Sequence, residues 1–70
     1  MSDYQIRRDR HYDRLNGLHA KLLGYITGTV KGVDDGLVTA EQAIARIREE
    51  AAKTSAAADA AWDEYIGGAR

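Results

Sequence analysis

The chain has 70 residues, with ten Lys and Arg against eleven Asp and Glu and a formal net charge of −1. Such a near-neutral chain has no strong long-range attraction to nucleic acid or to an anionic membrane. It contains no Cys and no Pro, which excludes disulfides and thiolate chemistry and favours helices. Because 44% of its residues are hydrophobic, it is too apolar for a disordered segment of such low net charge. We therefore expect a single small folded domain over residues 1–70.

The sequence also bears on where the protein acts. No apolar run approaches the roughly 20 residues that span a bilayer, and the N-terminal segment lacks the apolar core of a secretory signal. We therefore expect no membrane association and a cytoplasmic location, or a place within a virion if the chain is phage-encoded. The frequent use of Ala, Gly, Arg and Asp without Cys is compatible with a high-GC bacterial or phage genome.

Helical periodicity dominates the first half of the chain, over about residues 3–33. Ser2 and Gln5 have the spacing of an N-terminal capping box. The positions that recur on one helical face are Tyr4, His11, Leu15, Leu18, Leu22, Ile26, Thr29 and Val33. The segment 24–33 is rich in glycine and β-branched residues, so local propensity alone also allows a strand there. Since the chain offers no second convincing strand to pair with it, we predict a helix.

A turn is predicted at residues 34–38, where Asp-Asp-Gly interrupts the helical pattern. Gly36 suits a left-handed backbone position, which other residues rarely adopt. Thr39 and Gln42 have the spacing of a second capping box. The sequence therefore predicts that the chain reverses direction here and that a new helix begins directly after Thr39.

The second predicted helix spans about residues 40–66, and Gly67 and Gly68 are expected to end it. Its apolar stripe consists of Ala40, Ala43, Ile44, Ile47, Ala51, Thr54, Ala58, Ala61, Trp62 and Tyr65. Two long helices joined by a short turn predict an all-α fold, an antiparallel two-helix hairpin. Because such a hairpin buries little, we expect it to assemble into a four-helix bundle, as a dimer or with another protein.

The first helix carries a second apolar seam, about 60–100° around the helix from Leu22. A two-helix hairpin has no element to cover this seam. Aromatic residues also gather at the open end of the predicted hairpin, and such residues are enriched at interface hot spots. The predicted partner-binding residues are therefore Tyr12, His19, Leu23, Val30, Tyr4, Trp62 and Tyr65. The alternative is that Trp62 and Tyr65 only close the core of the hairpin.

Three glycines lie together on the far face of the first helix, Gly17, Gly24 and Gly28. Each interior glycine weakens a helix by about 1 kcal/mol relative to Ala. Their clustering predicts a close helix contact or a bend at this face. The alternative is that the glycines are simply tolerated.

Nucleic-acid binding is the alternative function, with phosphates contacted by Arg7, Arg8, Arg10 and Arg14. Two observations weaken it. Asp9 and Asp13 interrupt the arginines, and a third helix, which a helix-turn-helix motif requires, is missing from the predicted elements. We therefore rank it below protein binding.

No arrangement of reactive side chains predicts an enzyme, a metal site or a cofactor. The turn resembles the centre of an EF-hand calcium loop, but Lys31, Val33 and Gln42 occupy positions where calcium ligands are needed. His11 and His19 are eight residues apart, without further ligands to converge on. Two packed helices also lack the volume of a typical substrate pocket, about 300–1,000 Å³. We predict a non-enzymatic structural or adaptor protein that binds itself and another protein.

Overall fold

The computed structural model describes residues 3–68 and is all-helical over that range, apart from the turn. Helix α1 is Asp3–Asp34 and helix α2 is Ala40–Gly68. The two helices contact each other, which confirms the predicted helical hairpin. Helix α1 is continuous through residues 24–33, so the strand alternative for that segment is wrong. Ser2, and with it the first predicted capping box, lies outside the described residues.

The turn closes α1 by a Schellman motif centred on Gly36. The backbone of Gly36 is left-handed, with φ at +75°. Its amide donates to the Val33 carbonyl at 3.0 Å, and the Leu37 amide donates to the Gly32 carbonyl at 2.9 Å. These two bonds satisfy carbonyls that the end of α1 would otherwise leave unpaired. Glycine is required at this point because a Cβ disfavours a positive φ.

The second capping box is present as the sequence predicts. The Thr39 hydroxyl oxygen accepts a hydrogen bond from the Gln42 amide at 3.1 Å, and the Gln42 side-chain oxygen accepts one from the Thr39 amide at 3.0 Å. This reciprocal pair satisfies two of the donors that the first turn of α2 leaves without helical partners. The start of α2 is therefore fixed by local sequence.

The end of α2 differs from the expectation, because the helix includes Gly67 and Gly68. Among the described glycines, only Gly36 has a positive φ. A helix gains one backbone hydrogen bond per added residue, which offsets the propensity penalty of glycine. The glycine pair therefore belongs to the last described turn of α2.

Small and medium-sized residues fill the space between the helices. The buried residues are Ala43, Ala61 and His11, and none of the described large side chains is fully buried. The half-buried residues of α1 include most of the predicted stripe, namely Leu15, Leu18, Leu22, Ile26, Thr29 and Val33. On α2 the half-buried residues of the predicted stripe are Ile47, Ala51, Thr54, Ala58 and Tyr65. The hairpin is thus a thin layer with a small interior.

Part of the predicted stripe is wrong. The residues assigned to it that are exposed instead are Tyr4, Ala40, Ile44 and Trp62. Tyr25 and Ile66 are half-buried, although neither belongs to the predicted stripe. At 100° per residue, Ile44 and Trp62 lie about 80° from the centre of the half-buried positions of α2. The larger apolar side chains of α2 therefore mark one edge of the interface rather than its centre.

Candidate protein-interaction surface

The hairpin has the shape of a plate. Its Cα atoms extend over 52 × 19 × 8 Å, so each broad side covers on the order of 1,000 Å². The accessible surface is 5403 Å², whereas a compact monomer of 7.7 kDa would expose about 4,300 Å². The excess of about 1,000 Å² is similar to the ~800 Å² that each partner contributes to a standard protein interface.

Large apolar side chains of α1 remain exposed along one side. The exposed fractions of Tyr12, Leu23 and Val30 are 56%, 65% and 49%. His19 lies between them and is also exposed. These four positions are the seam that the sequence predicts, and they lie roughly 90° around α1 from the residues that contact α2. The seam is therefore accessible to another chain.

Helix α2 extends this seam across the hairpin. The exposed fractions of Ile44 and Trp62 are 53% and 51%. When each helix is viewed from its own N-terminus, its exposed apolar residues lie clockwise of the residues that contact the other helix, and this holds for both α1 and α2. Equal rotations about two antiparallel axes turn both sets toward the same broad side of the plate. We call this side the apolar face, defined by Tyr12, His19, Leu23, Val30, Ile44 and Trp62.

Aromatic rings cluster around His11 at the open end of the hairpin. The ring of Tyr65 stacks on that of His11, with centroids 4.5 Å apart and planes at 19°. The rings of Tyr12 and Trp62 each lie 5.8 Å from the His11 centroid. The pKa of the Tyr65 hydroxyl is raised, mainly by a hydrogen bond with Tyr4 and to a smaller extent by desolvation. His11 is thus the buried centre of the predicted aromatic end, and Tyr12 and Trp62 present its outer edge on the apolar face.

The opposite broad side carries charge instead. A groove of about 190 Å³ at the open end is lined by Arg7, Arg10, His11, Arg14, Ala61, Glu64 and Tyr65. We call it the arginine groove. The Arg14 guanidinium donates a hydrogen bond to the Glu64 carboxylate across the two helices. Arg8 lies elsewhere, with its Nε atom 3.8 Å from the Asp9 carboxylate. The structure therefore unites three of the four predicted phosphate-contacting arginines and separates the fourth.

The predicted close contact at the α1 glycines has no counterpart inside the hairpin. A Cβ atom built on Gly17, Gly24 or Gly28 would meet nothing within 4 Å. Gly24 and Gly28 instead line a second shallow groove, near the turn. Of the six glycines from Gly17 to Gly67, only Gly32 lies close to a side chain outside α1, since its Cβ would lie 3.3 Å from Val38 Cγ2 in the turn. Contact between these glycines and another chain stays a prediction.

Ile44 is one of the exposed apolar residues that sequence reasoning missed as candidate binding residues. Its position on the apolar stripe of α2 assigns it to the hairpin interior. The available signal is its size, because the stripe of α2 otherwise consists largely of Ala and Thr. A stripe of small residues brings the two helices close together, which leaves a large neighbour at the edge of the contact.

Within residues 3–68, no group of three or more His, Asp or Glu side chains is placed to hold a metal ion. Neither helix in that range has the length and apolar character needed to cross a membrane.

Comparison of the chain with models of protein families, with curated proteins and with solved structures gave no match.

Proposed function

We propose that the protein is a non-enzymatic interaction module that pairs with a second copy of itself. The two apolar faces pack together, and the result is a four-helix bundle with a structural or assembly role. The observation that supports this proposal is the exposure of five large apolar side chains, from both helices, on one side of a thin plate. Large exposed apolar surfaces mark protein interaction sites on soluble proteins.

The size of the face supports a stable pair. A broad side of 52 × 19 Å matches the ~800 Å² per partner of a standard interface. A hairpin of 70 residues also gains little from its own core, because none of its described large side chains is fully buried. Chains of this size commonly need a second chain, a metal or a disulfide for stability. A second copy meets that need without any further component.

The face is also compatible with two-fold symmetry. A two-fold axis parallel to the helices places α1 of one copy over α2 of the other, and both contacts are then equivalent. At equal height along the bundle, Leu23 of one copy faces the region of Ala51 and Ala52 of the second copy. These small residues leave room for the leucine side chain. The same symmetry brings Tyr12 of one copy near Trp62 of the second copy, so that the aromatic ends meet.

The proposal is tested by sedimentation equilibrium of the wild type and of Leu23→Asp. Full burial of a leucine is worth about 2–3 kcal/mol, and 65% of Leu23 remains to be covered. A symmetric dimer covers it twice, which gives about 3–4 kcal/mol in total. We therefore expect a wild-type dimer at micromolar concentration and a dissociation constant at least about 100-fold higher for Leu23→Asp.

The matched control is Ala20→Asp, which adds the same charge to an exposed position of α1 on the side away from α2. This variant should dimerise like the wild type. Circular dichroism checks that each variant is helical. A wild-type protein that is folded and monomeric at all concentrations would contradict the proposal.

A different partner protein could use the same face. Affinity capture with wild-type protein and with Trp62→Ala, which removes the largest aromatic residue of the face, tests this alternative. Nucleic-acid binding has less support, because Arg8 lies apart from the arginine groove and Glu64 places a negative charge inside it.

A further inference from the structure

We propose that the arginine groove is a second binding site, for a short acidic peptide segment of a partner protein in which carboxylates flank an apolar side chain. The groove lies on the broad side opposite the apolar face, so the proposal goes beyond self-association and does not depend on it.

The spacing of the arginines fits a short extended peptide. Arg7, Arg10 and Arg14 line one side of the groove, and Arg7 and Arg14 lie seven positions apart on α1, which is about 10 Å. A peptide in extended conformation covers that distance with about three residues, and its alternate side chains point the same way about 7 Å apart. Guanidinium groups bind carboxylates with two parallel hydrogen bonds. Two carboxylates at alternate positions can therefore each meet an arginine.

The floor of the groove is apolar. Ala61 is buried, and the Tyr65 ring is held against that of His11 at a centroid distance of 4.5 Å. Ala61 and Tyr65 belong to α2, across the groove from the arginines, so this part of the floor covers the side chain between the two carboxylates, which points away from the arginines in an extended peptide. The combination of an arginine rim and an apolar floor points to an amphipathic anionic ligand.

The structure already contains one contact of the proposed kind. Glu64 pairs with Arg14 across the groove, and the two side chains are 68% and 54% exposed. An exposed ion pair contributes little free energy, so a carboxylate of the peptide can replace Glu64 at little cost. Glu64 is therefore the internal competitor of the peptide for Arg14.

Acidic side chains in and beside the groove disfavour a nucleic acid. Glu64 lies inside the groove, and Asp3 lines the adjacent hollow together with Arg7 and Arg10. A strand that continues past the groove would bring its phosphates close to these acidic groups, and like charges repel. A ligand of a few residues ends before Asp3 and meets only Glu64, which it replaces on Arg14.

Fluorescence anisotropy with three labelled probes tests the proposal at low salt. The probes are the peptide Glu-Glu-Leu-Glu-Glu, the neutral peptide Gln-Gln-Leu-Gln-Gln and a thymidine oligonucleotide of the same length. We expect the acidic peptide to bind most tightly and its affinity to fall as salt is added. Equal binding of the neutral peptide, tighter binding of the oligonucleotide, or no binding of the acidic peptide would each overturn the proposal.

Three variants locate the site. Arg10→Gln should weaken binding of the acidic peptide about tenfold, since a hydrogen bond to a charged group is lost. Lys21→Gln removes the same charge from α1 outside the arginine groove and should leave the affinity unchanged. Glu64→Gln should raise the affinity severalfold because the competing carboxylate is gone. If Arg10→Gln and Lys21→Gln have equal effects, or if Glu64→Gln weakens binding, the assignment to this groove is wrong.

The two proposals fail separately. Leu23→Asp disrupts the apolar face but leaves the arginine groove in place, so the variant should bind the acidic peptide with wild-type affinity. A loss of dimerisation without a change in peptide binding identifies two independent sites.

Discussion

Replacement of Gly28 by alanine should stabilise the protein. Gly28 lies in the interior of α1, and a Cβ atom at this position would meet nothing within 4 Å. Alanine gains about 1 kcal/mol over glycine at an interior helical position, and here no steric penalty offsets the gain. For a domain of about 60–100 residues, 1 kcal/mol raises the Tm by about 4–8 °C.

Two neighbouring glycines serve as references for this measurement. Gly36→Ala forces a side chain into a backbone with φ at +75°, which costs about 1–2 kcal/mol, so its Tm should fall by a comparable amount. Gly32→Ala should gain less than Gly28→Ala, because its Cβ would lie only 3.3 Å from Val38 Cγ2.

The assay is thermal unfolding followed by circular dichroism, at one fixed protein concentration because the Tm of a dimer depends on concentration. A lower Tm for Gly28→Ala than for the wild type would refute the reasoning, since nothing inside the hairpin opposes the added methyl group. If Gly28→Ala instead raises the Tm of the monomer but weakens dimerisation, the glycine face contacts a second chain.

Three further predictions concern the turn, the open end and α2. Thr39→Ala removes one half of the capping box and should lower the free energy of unfolding by about 1 kcal/mol, measured by urea denaturation. Tyr4→Phe removes the hydrogen bond that raises the pKa of Tyr65, so an absorbance titration of tyrosine should show one group moving back toward about 10. Because the raised pKa favours the neutral phenol in the folded state, its stabilisation is complete below about pH 10 and is lost as the pH rises through the folded-state pKa. Ile44→Asp should weaken dimerisation as Leu23→Asp does, because Ile44 lies on the same apolar face. Sedimentation equilibrium measures the effect, and an unchanged dissociation constant would show that α2 does not take part in the interface.

Local sequence signals were sufficient for the helices and for their connection. The Thr39–Gln42 capping box and Gly36 act through bonds within a few residues, and such bonds follow from residue type and spacing alone. The exposed seam of α1 was equally predictable. The helical period of 3.6 residues places the seam about 90° around α1 from the stripe that contacts α2, so its residues cannot face α2 as well. These predictions required no knowledge of how the two helices pack.

The rotation of α2 was not predictable in the same way. Its stripe combines many small residues with Ile44 and Trp62, and a hydrophobic pattern assigns all of them to one face. In the structure, the centre of the contact is taken by Ala43 and Ala61, which are buried, while the two large residues lie at its edge. Close packing of α1 against alanines decides this rotation, and that depends on both helices together.

The arginine groove illustrates a second limit. The sequence places four arginines within eight positions. Residues two positions apart point to different sides of a helix, so Arg8 and Arg10 do not share a face. Only the position of α2 shows that Arg7, Arg10 and Arg14 share a groove with Glu64, whereas Arg8 does not. The composition of the site therefore depends on tertiary structure.

The five-residue connection at residues 35–39 has a consequence for folding. The contacts between α1 and α2 do not require that both helices belong to one chain, so the same contacts could form between α1 of one copy and α2 of another. The turn favours the intrachain pairing by holding α2 at a high local concentration. A deletion of Gly36 and Leu37 would remove the left-handed residue and let the helices fuse into one rod of about 100 Å. Such rods can bury their stripes only by exchanging segments between copies, so this short turn determines whether the fold is completed within one chain or by a domain swap.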